Sequence, residues 1–355
     1  MDWPYCTCCR TVLHLWSHSH AISRRRTMLR TAFTELVGCS IPIQQAGMGA
    51  LANHDLAAAV ANAGALGTVS VTGASPDLIA KILDQCRALT PGVIGANFIV
   101  DPALVPDRAS LPEAVDAAAA RVKVVDFFHG WPEASLVDVA HKRGAVVSWQ
   151  IGSSVEAVAA QEAGCDLIVA QGIEAGGHIR GKIGLLALLD EVLEAVTIPV
   201  IAAGGIGTGR AMAAALAAGA AAVRVGTRFI AAPESEAHPV YVSALIQAGA
   251  KDTVFTEAFS VGWPDAPGRV LRSSLQAAEA HEGDIVGERT GKYTGTKSQV
   301  RRFEIGVPTV RTTGAIEAMP HWAGESVGGV RRVQSAAEIV HELSSEAEDL
   351  LKRWG

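Results

Sequence analysis

One histidine in the chain is set up for chemistry by its neighbours: His178, within Gln171-Gly-Ile-Glu-Ala-Gly-Gly-His-Ile-Arg-Gly181. Histidine titrates near neutrality, so it can take a proton from carbon or stabilise an anion. Gly176 and Gly177 let the backbone lie against a flat ring and deliver the imidazole into a pocket rather than the core. Glu174 reads as a brace that holds this loop by hydrogen bonds. Two further runs, Ala202-Ala-Gly-Gly-Ile-Gly-Thr-Gly209 and Val225-Gly-Thr-Arg228, place Gly204, Gly205, Gly226 and Thr227 where backbone N–H groups can approach an anion. A helix beginning near Thr208 would add its positive end, which makes the pair a phosphate cradle. No Gly-x-x-x-x-Gly-Lys-[Ser/Thr] occurs, so the cradle is not a P-loop.

Weaker signals surround these. Ala46-Gly47-Met48 offers a soft thioether beside glycine, suited to covering a ring face. The amides of Asn97 and Gln150 can both donate and accept at a ring's polar edge. His129 and Trp131 are candidates for the pocket wall.

Such residues need a frame. From residue 40 onward an Ala-rich helical stretch, a closing glycine and a short apolar strand recur, as at Ala57–Ala63, Gly64 and Leu66–Ser70. Continuous apolar runs suit parallel strands buried on both faces. Strands are predicted at Ile41–Gln45, Leu66–Ser70, Val93–Val100, Lys123–Phe127, Ala145–Gln150, Asp166–Gln171, Pro199–Ala203 and Ala221–Gly226, with a last helix near Ala237–Gln247. Eight strands alternating with helices predict an α/β fold, a (β/α)8 TIM barrel over 31–261, with function at the C-terminal strand ends. An open doubly wound sheet is disfavoured, because the first strand lacks its Gly-x-Gly-x-x-Gly turn. Residues 262–330, rich in Gly, Pro, Arg and Thr, read as a mobile lid over the barrel mouth, too polar for a second core. Residues 331–355 read as a C-terminal extension whose helix, striped by Ile339, Val340, Leu343, Leu350 and Leu351, docks back on the barrel.

Composition narrows the class of function. With 49% hydrophobic and 19% charged residues and a net charge of −6, the chain has material for a large core and no general basic footprint for nucleic acid. The run Ala211–Val223 is too short to span a membrane. The six cysteines form no disulfide framework, and the cytoplasm is the expected compartment. Residues 1–30, with Cys6, Cys8, Cys9 and several Arg, Ser and His, invite readings as a zinc site or a transit peptide; the favoured one is an unstructured or mis-assigned leader, with the functional chain starting near Met28.

Taken together, Ile41-Pro-Ile-Gln-Gln-Ala-Gly-Met48, Gly95-Ala-Asn97, Gln171-Gly-Ile-Glu-Ala-Gly-Gly-His178, Ile201-Ala-Ala-Gly-Gly-Ile206 and Val225-Gly-Thr227 resemble the nitronate monooxygenase family, over roughly residues 30–275. The resemblance implies FMN, with its phosphate on Gly204, Gly205, Gly226 and Thr227 and its ring or ribityl chain on Ala46, Gly47, Met48, Asn97, Gln150, Gln171 and Gly176. It implies His178 as the active-site histidine, and oxidation of an alkyl nitronate by O2 to a carbonyl compound and nitrite. A rival reading is an NAD(P)H-dependent FMN reductase of a quinone or enoyl-thioester. A dehydrogenase of the inosine-monophosphate type would need a nucleophilic Cys after the sixth strand, and Cys165 precedes it.

Overall fold

The computed structural model describes residues 29–353. The calls on the leader, its cysteines included, therefore lie almost wholly outside the described residues. Eight strands form one sheet: β1 Ile43–Gln45, β2 Gly67–Ser70, β3 Ile94–Ile99, β4 Val124–Phe128, β5 Val146–Ile151, β6 Leu167–Gln171, β7 Val200–Ala203 and β8 Ala222–Val225. All their pairings are parallel, in the order β1-β8-β7-β6-β5-β4-β3-β2, and a bridge between Gln44 and Leu66 brings β1 back to β2. The sheet is thus a nearly closed (β/α)8 barrel, the architecture expected of eight apolar runs alternating with helices.

Strand periodicity divides the core. Leu167 and Val169 belong to an inner cluster with Val124, Val146 and Ile201, while Ile168 and Ala170 face the helices. Helix Ala32–Val37, capped by Thr31, adds Phe33 and Val37 to that inner cluster. It plugs the end of the barrel away from the glycine turns.

The segment 262–330 departs from the polar excursion expected of it, and residues 253–261, expected in the barrel, join it in further sheet and core. Strands Thr253–Thr256 and Gly268–Leu271 pair antiparallel, and Ile285–Thr290, Lys297–Arg301 and Thr312–Gly314 make a second small sheet. Phe259, Val270, Val286, Val300, Met319 and Trp322 pack into a core of their own. The polar impression came from strands such as Ile285–Thr290, where Val286 alone is buried.

Helix Ala336–Leu351 starts with a capping box between Ser335 and Glu338 and buries Ile339, Val340, Leu343 and Ala347. It lies against helix Gly209–Ala217 so closely that a Cβ on Gly209 would stand 2.7 Å from the Leu343 carbonyl oxygen. Glu346 accepts the Gly209 N–H at 2.8 Å. Among the described residues no group of side chains could hold a metal ion, and no helix is long and apolar enough to cross a membrane.

Candidate active site

The glycine turns after β7 and β8 open into a cavity of about 660 Å³, within the ~300–1,000 Å³ range usual for small-molecule sites. The twelve residues that the resemblance assigns to catalysis or to FMN all line it: Ala46, Gly47, Met48, Asn97, Gln150, Gln171, Gly176, His178, Gly204, Gly205, Gly226 and Thr227.

Gly204 and Gly205 have φ of +96° and +72°, the left-handed conformation that turns consecutive N–H groups one way. Among the described residues the N–H groups of Gly204, Gly205, Gly226 and Thr227 find no acceptor. Thr208 caps the following helix by accepting the Ala211 N–H at 3.2 Å. Four free donors around one concavity are the donor set an anion requires. The Thr227 hydroxyl accepts the Gly324 N–H at 3.1 Å, so the C-terminal segment closes over this mouth.

His178 comes from a two-residue strand, Gly177–His178, that pairs antiparallel with Gly268 and Arg269. Its ring lies between Trp263 and Trp322, with centroids 4.2 and 4.7 Å away. Nδ1 is 2.9 Å from the Ala266 carbonyl oxygen, which can only accept, so Nδ1 carries the proton and Nε2 keeps its lone pair. Burial pushes the imidazole down from 6.5 to about 4, the Ala266 bond opposing the shift and His129 adding to it. At neutral pH His178 is an uncharged proton acceptor.

Beneath it lies a polar network whose residue types were visible but whose role was not anticipated. Arg224 of β8, 5% exposed, is ion-paired with the fully buried Asp126 of β4 and donates to Gln44 and Gln150. Asp126 also accepts from Ser148 and from Asn97 Nδ2, at 2.6 and 2.7 Å. Because Arg224 only donates, it must meet Oε1 of Gln150, which leaves Nε2 as a free donor. Asn97 presents Oδ1, close enough to β1 that a Cβ on Gly47 would stand 2.3 Å from it. One charged residue within an apolar strand, as in Ala222-Val-Arg-Val225 and Val124-Val-Asp-Phe-Phe128, was the available signal.

Several of these residues also have structural partners, and two candidates lie away from the cavity. Gln171 lines the cavity, yet its amide braces the loop, donating to the His178 carbonyl at 2.9 Å and accepting the Arg180 N–H at 3.0 Å. Gly176 lines the cavity and also admits Gly324, whose N would be 2.3 Å from a Cβ there. Trp131 is 55% exposed and outside the cavity. His129 is buried behind Trp263 and bonded to Asp101 at 3.0 Å. Glu174 is the expected brace: both its oxygens lie 3.0 Å from the Leu185 N. Trp263 and Trp322, and the hairpin residues Arg289–Thr294 on the far wall, were not foreseen, since nothing local in the sequence ties them to the barrel.

A barrel with four free N–H donors and a neutral histidine at its strand ends is a frame suited to a phosphate-bearing ligand beside a proton acceptor. The chain belongs to the nitronate monooxygenase family, whose model matches residues 30–346. It is 30% identical to a nitronate monooxygenase of Paraburkholderia phytofirmans, over 91% of this chain and 97% of that one. It is 36% identical to (3aS,4S,5R,7aS)-5-hydroxy-7a-methyl-1-oxo-octahydro-1H-indene-4-carboxyl-CoA dehydrogenase of Rhodococcus jostii, over 73% and 70% of the two chains. Among solved structures, FabK from Thermotoga maritima superposes with a TM-score of 0.74 at 28% identity, covering 92% of this chain and 98% of its own. A nitroalkane oxidase from Streptomyces ansochromogenes does so at 0.70 and 30%, covering 91% and 100%. The family's members are flavin-dependent oxidoreductases, and so is this chain.

Proposed function

We propose that the protein binds FMN and oxidises alkyl nitronates with O2, releasing a carbonyl compound and nitrite. His178 carries the reading: a neutral imidazole with Nδ1–H held by Ala266 offers Nε2 only as an acceptor. Where the substrate arrives as the neutral nitroalkane, that suits removal of a proton from the carbon beside the nitro group, which generates the nitronate to be oxidised. The C–H bond breaks, its electron pair moves into the nitronate, and the proton goes to Nε2. The anion forms beside the new imidazolium, which offsets the desolvation that otherwise opposes protonation. Trp263 and Trp322 fix the ring and keep water from it.

The donor set fits FMN. Gly204, Gly205, Gly226 and Thr227 would hold its phosphate, and Gln150 Nε2 with Asn97 Oδ1 would offer one donor and one acceptor to its ring. Arg224 is the nearby positive charge. Bound FMN supplies the electron acceptor and the route to O2. In air, the FMN-loaded protein should consume O2 and release nitrite from ethyl nitronate in comparable amounts; nitrite-free consumption driven by NADPH would sink this reading.

A second reading, an FMN oxidoreductase of NAD(P)H acting on a thioester or quinone, draws support from the names of the Rhodococcus relative and of FabK. Reduction of the bound flavin by NAD(P)H and its reoxidation by a quinone or enoyl-thioester, with no reduction by nitronate, is its signature.

A further inference from the structure

The cavity continues past His178. Its wall there is Ile99, Leu104, Phe128, Trp263 and Ile305, an apolar cluster that also packs Ala266, the residue holding Nδ1. A second pocket adjoins the first and shares Leu104, Arg289, Ile305 and Gly306 with it, adding Arg301 and Glu304. Leu104 and Ile305 thus form an apolar threshold between an inner apolar space and an outer charged one.

Arg289 stands at that threshold, its guanidinium lying across Gly306, where a Cβ would be 2.1 Å from Nη1. It is paired with Glu304 at 2.5 Å. The second oxygen of Glu304 accepts the backbone N–H of Arg301 at 3.0 Å. The Arg301 side chain, at the end of strand Lys297–Arg301, has neither hydrogen bond nor ion pair among the described residues. Two guanidinium groups against one carboxylate leave the outer pocket with one uncompensated positive charge.

We infer that this outer pocket binds an anionic group at the far end of the substrate, whose apolar body crosses the Leu104–Ile305 threshold so that its reacting carbon reaches His178. The substrate class is then an amphipathic carbon acid with a terminal carboxylate or phosphate, rather than a short nitroalkane. This rests on the proposed proton abstraction and specifies its substrate. A guanidinium takes either anion bidentately, and each methylene buried on the way adds roughly fourfold in affinity.

Steady-state kinetics on the FMN-loaded enzyme test this with primary nitrooctane and ω-nitrooctanoate, which differ only in the terminal carboxylate. The wild type should favour the carboxylate by roughly tenfold in kcat/KM at low salt, and Arg301→Glu should abolish or invert that preference while Arg301→Lys retains most of it. Equal kcat/KM for both compounds, or an unchanged ratio in Arg301→Glu, overturns the inference. A readout without turnover is quenching of tryptophan fluorescence by octyl phosphate, expected to need roughly tenfold more ligand in Arg301→Glu. Octyl phosphate binding that ignores Arg301→Glu also overturns the outer site. Arg301-dependent binding of octyl phosphate with no oxidation of either nitro compound would instead leave the anion site standing and remove the proposed reaction.

Discussion

The Nδ1–H of His178 donates to the carbonyl oxygen of Ala266 at 2.9 Å, tying the loop after β6 to a segment far along the chain, beside Trp263. This bond fixes the tautomer, and burial fixes the charge. In the proposed reaction the neutral form is the base, so kcat/KM should fall on the acid side through about 4 and show no His178 limb near neutrality. A pH profile with proton abstraction rate-limiting reads this directly. His178→Asn should lower kcat by about 10²–10⁴ and leave flavin binding in place.

Acid should also cost stability. His178 and His321 are each held down to about 4 by burial. The unfolded chain takes up those protons from about pH 6.5 downward while the fold does not, so stability present above 6.5 is lost as pH falls towards 4. Melting temperatures at pH 7.5 and 5 should differ downward, and replacing His321 by Gln should reduce the difference.

Among the described residues Arg224–Asp126 is the one ion pair with both side chains buried. Asp126→Ala strands the guanidinium and releases Ser148 and Asn97, at an expected cost of about 3–5 kcal/mol in denaturant unfolding. Arg224→Met with Asp126→Leu together should cost less than Asp126→Ala alone.

Gly209→Ala should destabilise by about 1–3 kcal/mol, since the methyl meets Glu346 Cβ and the backbone of helix Ala336–Leu351, none of which can swing away. Thermal unfolding measures it.

At the cradle, Gly205→Ala forces a Cβ onto a residue with φ of +72° and 3.3 Å from the Glu174 Cβ. FMN affinity, followed by flavin fluorescence, should weaken by about tenfold or more as the turn relaxes.

The barrel was legible because each strand is a continuous apolar run between glycines, and the free N–H donors after β7 and β8 because left-handed glycines at strand ends leave a compositional mark. The pairing of Gly177–His178 with Gly268 and Arg269 left none, being a contact between distant segments. Trp263 and Trp322 reach His178 for the same reason. The second small core was hidden by strands with one buried side, whose other residues are polar. Gln171 and Gly176 line the cavity and also hold the loop and the Gly324 segment, roles that a residue type alone does not reveal.

The proposed reaction stands or falls most directly on anaerobic mixing of the FMN-loaded protein with propionate 3-nitronate and, separately, with NADPH. Rapid loss of oxidised-flavin absorbance with the nitronate, and slow or no loss with the nucleotide, is predicted. Prompt bleaching by NADPH with indifference to the nitronate would contradict it.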